Sequence, residues 1–188
     1  MKQESTAFTA ADVPRFFDEI LLYEAGKVVE RLRAAGERLD RLAPSVPEDG
    51  PEATGWNAKE VLAHIAVLSR AYGVFGYMVA TGRLTELAIG DVISQRDVVG
   101  EEMAGRPVAD IVAEAHRQQD RTIAFLEKAT PEQLRATCRT ESGTVSAEYL
   151  IRFPLVAHLE LHLDQLEQVL GAPHPTLPPP AGGGRVVQ

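Results

Sequence analysis

Two histidines, His158 and His162, stand four residues apart in a run whose other members at helical spacing, Ile151, Leu155, Leu166 and Val169, are all apolar. Side chains at i and i+4 of a helix lie about one turn apart and project from the same face, so both imidazoles can reach one ion. Two rings left unsatisfied in a core would cost desolvation energy. A shared metal satisfies one nitrogen on each, and an acceptor behind the ring can take the other. The pair alone is equally compatible with a satisfied or solvated helix face. Leu159 follows His158 where the H-E-x-x-H pattern of zinc metalloproteases has glutamate, so that chemistry is excluded. His64 lies between Val61 and Leu68 on the apolar side of a different segment, where an ordinary buried histidine is the competing reading.

Other chemically capable residues carry less. Cys138 is the only cysteine, so no intrachain disulfide or cysteine zinc cluster is available, and a reducing cytoplasmic compartment is expected. Glu160, between the two histidines, and Asp164, two residues after them, are candidate outer partners of the ligands, with a solvated helix face as the alternative. His116 is flanked by polar neighbours in Ala115-His116-Arg117-Gln118-Gln119, and would have to turn inward to contribute.

Four segments of helical periodicity must position these residues. The first, roughly Ala11 to Ala43, repeats Phe17, Leu21, Val28, Leu32, Leu39 and Leu42 on one face and charges on the other. Proline and glycine between Pro44 and Pro51 end it. The second starts at Asn57, an N-cap with Glu60 three residues on, carries the stripe Val61, Ile65, Leu68, Tyr72, Phe75 and Val79, and stops at Gly82. From Arg83 to Arg106 the pattern is weak and interrupted by Gly90, Gly100 and Gly105. It reads as a long connection with one short helix, of a length that often covers a pocket. The third helix begins near Pro107 and ends near Thr130-Pro131. Ser142 to Ser146 forms a turn that caps the fourth, which runs to Leu170 before Gly171. Pro154 inside it removes the bond to the Leu150 carbonyl and predicts a kink one turn before the histidines. Strand-like alternation is essentially absent. The expectation is an all-α four-helix bundle over residues 1–171, with a Pro/Gly-rich disordered tail over 172–188.

Composition narrows the partners. A net charge of −8 disfavours nucleic acid and anionic membranes, both of which call for a basic face. The opening residues Met1 to Ser5 lead into polar sequence without the apolar stretch of a secretory signal, and no uninterrupted apolar run of about 20 residues is present. The partner expected is therefore a small molecule, and the apolar residues left on outer faces leave room for a homodimer.

Two stretches resemble a known family. Trp56-Asn57-Ala58-Lys59-Glu60-Val61-Leu62-Ala63-His64 is similar to the tryptophan-led helix start and histidine of the DinB superfamily, and His158-Leu159-Glu160-Leu161-His162-Leu163-Asp164-Gln165-Leu166 to its second motif. The resemblance covers about Phe16 to Leu170. It implies a metal-binding four-helix bundle with a long connection between helices 2 and 3, and a zinc, nickel or iron ion on His64, His158 and His162. Val67 stands where a common form of the first motif has an acidic residue. Several members use the open metal position for a low-molecular-weight thiol such as mycothiol or bacillithiol, as in mycothiol-dependent maleylpyruvate isomerase. The implied function is thiol S-transfer or isomerisation of a small electrophile docked under the 83–106 connection, with no general base distinguishable. The alternatives are a non-catalytic bundle that binds a small ligand or protein partner, with structural histidines, and a hydrolase using metal-activated water.

Overall fold

Asn57 opens the central helix as its sequence predicts: its side chain accepts from the Glu60 amide, and the Glu60 carboxylate accepts from the Asn57 amide. This reciprocal cap starts α2 (Ala58–Ala80), and Gly82, at φ +68°, lets the chain turn beyond its end. The structure, a computed structural model, describes residues 9–49 and 55–171. The tail expected from 172 onward and the Gly50-Pro51 break lie outside the described residues.

Around α2 stand α1 (Val13–Leu42), α3 (Ile89–Ala104), α4 (Val108–Leu126) and α7 (His158–Val169), with the short helices α5 (Pro131–Arg135) and α6 (Ala147–Leu150) between α4 and α7. From Val61 to Ser69, α2 is buried on every side, as only a helix surrounded by others can be. Its apolar composition and length would also suit a membrane span, and it is the one described helix of which this is true. Here its apolar surface is used within the core instead.

Pairs of contacting residues give the helix directions. Arg31 meets Glu160 and Arg38 meets Asp164, so α1 and α7 run parallel. Asp40 meets His116 while Arg33 meets Glu127, so α4 runs antiparallel to α1. Ser69 with Gln119, Gly73 with Thr122 and Tyr77 with Phe125 set α2 parallel to α4. His64 with His158, and Gly76 with Ile151, set α2 antiparallel to the last helix. The bundle is therefore up, down, down, up. Two parallel helices in succession require the chain to be carried back between them, and α3 does this.

That crossover corrects the sequence reading of 83–106. Most of it is a 16-residue helix rather than an irregular connection with one short helix, and Met103 from it is buried in the core. Gly90 and Gly100 weaken the intrinsic helical signal there by about 1 kcal/mol each, and tertiary packing overrides them.

A second correction concerns strands. Thr137–Thr140 and Gly143–Ser146 form an antiparallel hairpin, with Cys138 opposite Val145, where the sequence suggested only a turn. The start of the crossover is tied to its edge, because the Leu87 amide donates to the Arg139 carbonyl and the Arg139 amide to that of Thr85. Ser146 still caps the helix that follows, by accepting from the Tyr149 amide.

Pro154 does not interrupt the helical path. Residues Ile151–Ala157 widen into a π-helical stretch that absorbs the lost bond and continues directly into α7. Gly76 of α2 faces this stretch, and a Cβ there would lie 2.5 Å from Cγ1 of Ile151, so only glycine allows the approach.

Two expected core positions lie outside the core. Phe17 is 57% exposed and Val169 44%, whereas Leu159 and Leu163, absent from the predicted stripe of the last helix, are fully buried. The core face of α7 is therefore rotated away from the histidines, and His158 and His162 lie at its half-buried margin.

Candidate metal centre

The capped first turn of α2 fixes His64 two turns into the helix, and the π-helical stretch delivers the chain directly into His158. The two helices run antiparallel here and their histidines meet. Ring centroids are 4.4 Å apart for His64 and His162, 4.6 Å for His158 and His162, and 5.7 Å for His64 and His158. One nitrogen from each ring lies within 4.8 Å of the other two, which makes a group able to hold a metal ion. Nitrogens sharing a tetrahedral zinc-type ion at about 2.1 Å lie about 3.4 Å apart, so side-chain rotations that move the rings on the order of an ångström close the set. The donors are three imidazoles, which suit zinc, nickel and iron alike.

The three rings differ in burial. His64 is 5% exposed, while His158 and His162 are half-buried, so the group is anchored from inside and approached from outside. Nδ1 of His162 lies 2.8 Å from Oε1 of Gln165, one turn further along α7. An acceptor oxygen at that position places the ring proton on Nδ1 and the lone pair on Nε2, which is the buried nitrogen of this ring. Trp56, just ahead of the cap of α2, lays its ring 4.6 Å from that of His64 and 5.8 Å from that of His162.

A sequence profile of the DinB superfamily matches residues 27–166. The chain belongs to the DinB superfamily. The match takes in all three histidines and reaches each of the four bundle helices, beginning within α1 and ending within α7. No curated protein and no solved structure is matched.

The remaining candidates lie elsewhere in this DinB-like bundle. Glu160 is held by both ends of the Arg31 guanidinium, at 2.8 and 2.6 Å, and Asp164 pairs with Arg38 at 2.6 Å. Both carboxylates therefore join α7 to α1. His116 faces Asp40 at 2.7 Å and is not among the three. Cys138 is buried at 2% exposure in the hairpin, and burial pushes its thiol above the usual range, which disfavours the nucleophilic thiolate. Val67, in the place of the familiar acidic residue, is packed in the core at 5% exposure.

Gln165 and Trp56 are functional candidates to which sequence reasoning gave no role, although both stand in the quoted motifs. The spacing of i and i+3 between His162 and Gln165 was the available signal. Replacing Gln165 with alanine is expected to weaken divalent-metal affinity by about 10- to 100-fold, as loss of a partner behind a ligating histidine generally does. Trp56 is the only tryptophan, so its fluorescence during a Ni²⁺ titration reports binding at this point directly. An unchanged midpoint would show that the Gln165 contact does not orient the ring.

Proposed function

We propose that this DinB-like protein holds one divalent ion on His64, His158 and His162 and uses it to transfer a low-molecular-weight thiol to a small electrophile, or to isomerise that electrophile with the thiol's help. The observation that carries this reading is the convergence of three imidazole nitrogens, from two helices, within 4.8 Å of one another. When bound there, a divalent ion supplies Lewis acidity, which lowers the pKa of a thiol or water reaching its open position.

The protein's own residues define the rest of the setting. The donors are neutral, and the nearest carboxylates of α7, Glu160 and Asp164, are engaged by Arg31 and Arg38. The double positive charge of an ion would thus be left uncompensated, which favours an anionic fourth ligand such as a thiolate. His64 fixes the floor of the site. Gln165 holds the proton of His162 on Nδ1, and the Trp56 ring walls one side and limits water there. The open side is that of the half-buried pair His158 and His162, and the electrophile would approach from it.

Substitution with Co²⁺ gives a spectroscopic test. Adding N-acetylcysteine as a minimal thiol to the cobalt-loaded protein is expected to produce a saturable near-ultraviolet sulfur-to-cobalt band. Metal-loaded protein that never develops this band would overturn the thiol reading and support a bundle whose metal is structural or serves a different small ligand.

A further inference from the structure

Well away from the histidines, α2 and α4 line a cleft of about 260 Å³. Its position along α2, around Gly73 to Tyr77, lies roughly 15–20 Å from His64 at 1.5 Å per residue, so it is a separate feature. The close approach of the two helices makes its floor: a Cβ at Gly73 would lie 2.5 Å from Oγ1 of Thr122. Gln118 and Thr122 line it and are themselves buried, at 6% and 4% exposure. Two rings close one end, Tyr77 and Phe125, edge to face with centroids 5.5 Å apart. The guanidinium of Arg83 lies 5.8 Å from the centre of the Tyr77 ring.

Arg121 forms the opposite wall. It is exposed, and its only described polar contact is a long one of 3.5 Å to Gln118 Oε1. The nearest acid on its helix face, Glu114, is already engaged by Arg117 and Gln118. In a chain of net charge −8, a cleft with a cation on its wall and no ion pair to that cation among the described residues is set apart from the general surface.

The geometry points to a binding site for a small monocyclic aromatic carboxylate, its ring against Tyr77, Phe125 and Val74 and its carboxylate on Arg121. Three features select this class. The volume admits one ring with a short substituent. The aromatic end provides edge-to-face and stacking contacts. A planar guanidinium matches a carboxylate with two parallel hydrogen bonds. The partly exposed cleft and few heavy atoms of such a ligand set a Kd of about 1 mM.

Benzoate is the probe, titrated into ¹⁵N-labelled protein as purified. Saturable shifts are expected at the amides of Gly73, Tyr77, Thr122 and Phe125, with binding at least about tenfold weaker for benzyl alcohol and for Arg121→Gln, the loss expected when one charged hydrogen-bonding partner is removed. Arg121 is exposed, so its replacement leaves the fold intact. Shifts centred instead on Trp56 and His162, acetate binding as tightly as benzoate, an unaffected Arg121→Gln variant, or no saturation would each overturn the assignment.

Discussion

A His158→Ala variant, prepared without a chelating tag, is expected to retain less than about a tenth of the divalent metal that the parent protein carries, while its helices stay in place. The expectation follows from what each ring contributes. His64 is locked in the core, and His158 and His162 complete the group from the last helix. Removing one of three donors must cost more than removing a partner behind a donor, itself worth about 10- to 100-fold. Folding need not suffer, because His158 lies at the margin of the core and alanine is the best helix former. Metal content by plasma emission, beside far-ultraviolet circular dichroism, checks both halves. A variant that keeps a full equivalent of metal would sink the three-histidine centre, and with it the proposed chemistry.

The second large effect is on stability. Leu159→Ala is expected to destabilise the fold by about 2–5 kcal/mol, the usual range for emptying a fully buried leucine site. For a domain of this size that corresponds to a fall in Tm of about 5–15 °C. Val169→Ala, at a position 44% exposed, is expected to change stability by less than about 0.5 kcal/mol. The comparison decides between two readings of the same helix. Spacing alone put Val169 on the buried stripe and left Leu159 out, whereas the fold buries Leu159 completely. Urea denaturation of the two variants separates them, and equal losses would mean that α7 packs with a different face inward.

That difference illustrates what was legible in the chain. Local chemistry read well: the cap at Asn57 and Glu60, the stop at Gly82, the end at Gly171 and the cap at Ser146 are all where side-chain chemistry placed them. The all-helical class and the two histidine motifs were legible for the same reason, since both depend on short-range spacing. What was missed depends on distant partners. The crossover helix α3 contains two glycines and a weak pattern, and packing onto α2 stabilises it. The hairpin strands are four residues each, too short for alternation to register, and they are fixed partly by Thr85 and Leu87 far back in the chain. The face of α7 was misjudged by part of a turn because the histidines were taken as its centre, when they are its edge. The π-helical stretch reflects the same limit. Proline predicts a lost hydrogen bond, but not that the turns around it widen into a π-helical stretch.

The meeting of α2 with α7 also has a consequence for the chain as a polymer. His64 and His158 are separated by about 95 residues, and bringing such distant points together carries an entropic penalty that grows with the logarithm of the loop. An ion gripped from both ends acts as a removable staple across that loop. It would bind the native chain far better than the unfolded one, raising thermal stability by about 2.7 kcal/mol at a hundredfold excess over Kd. The melting point of this bundle would then track the supply of free metal around it, so that chelation loosens the protein as well as emptying its centre.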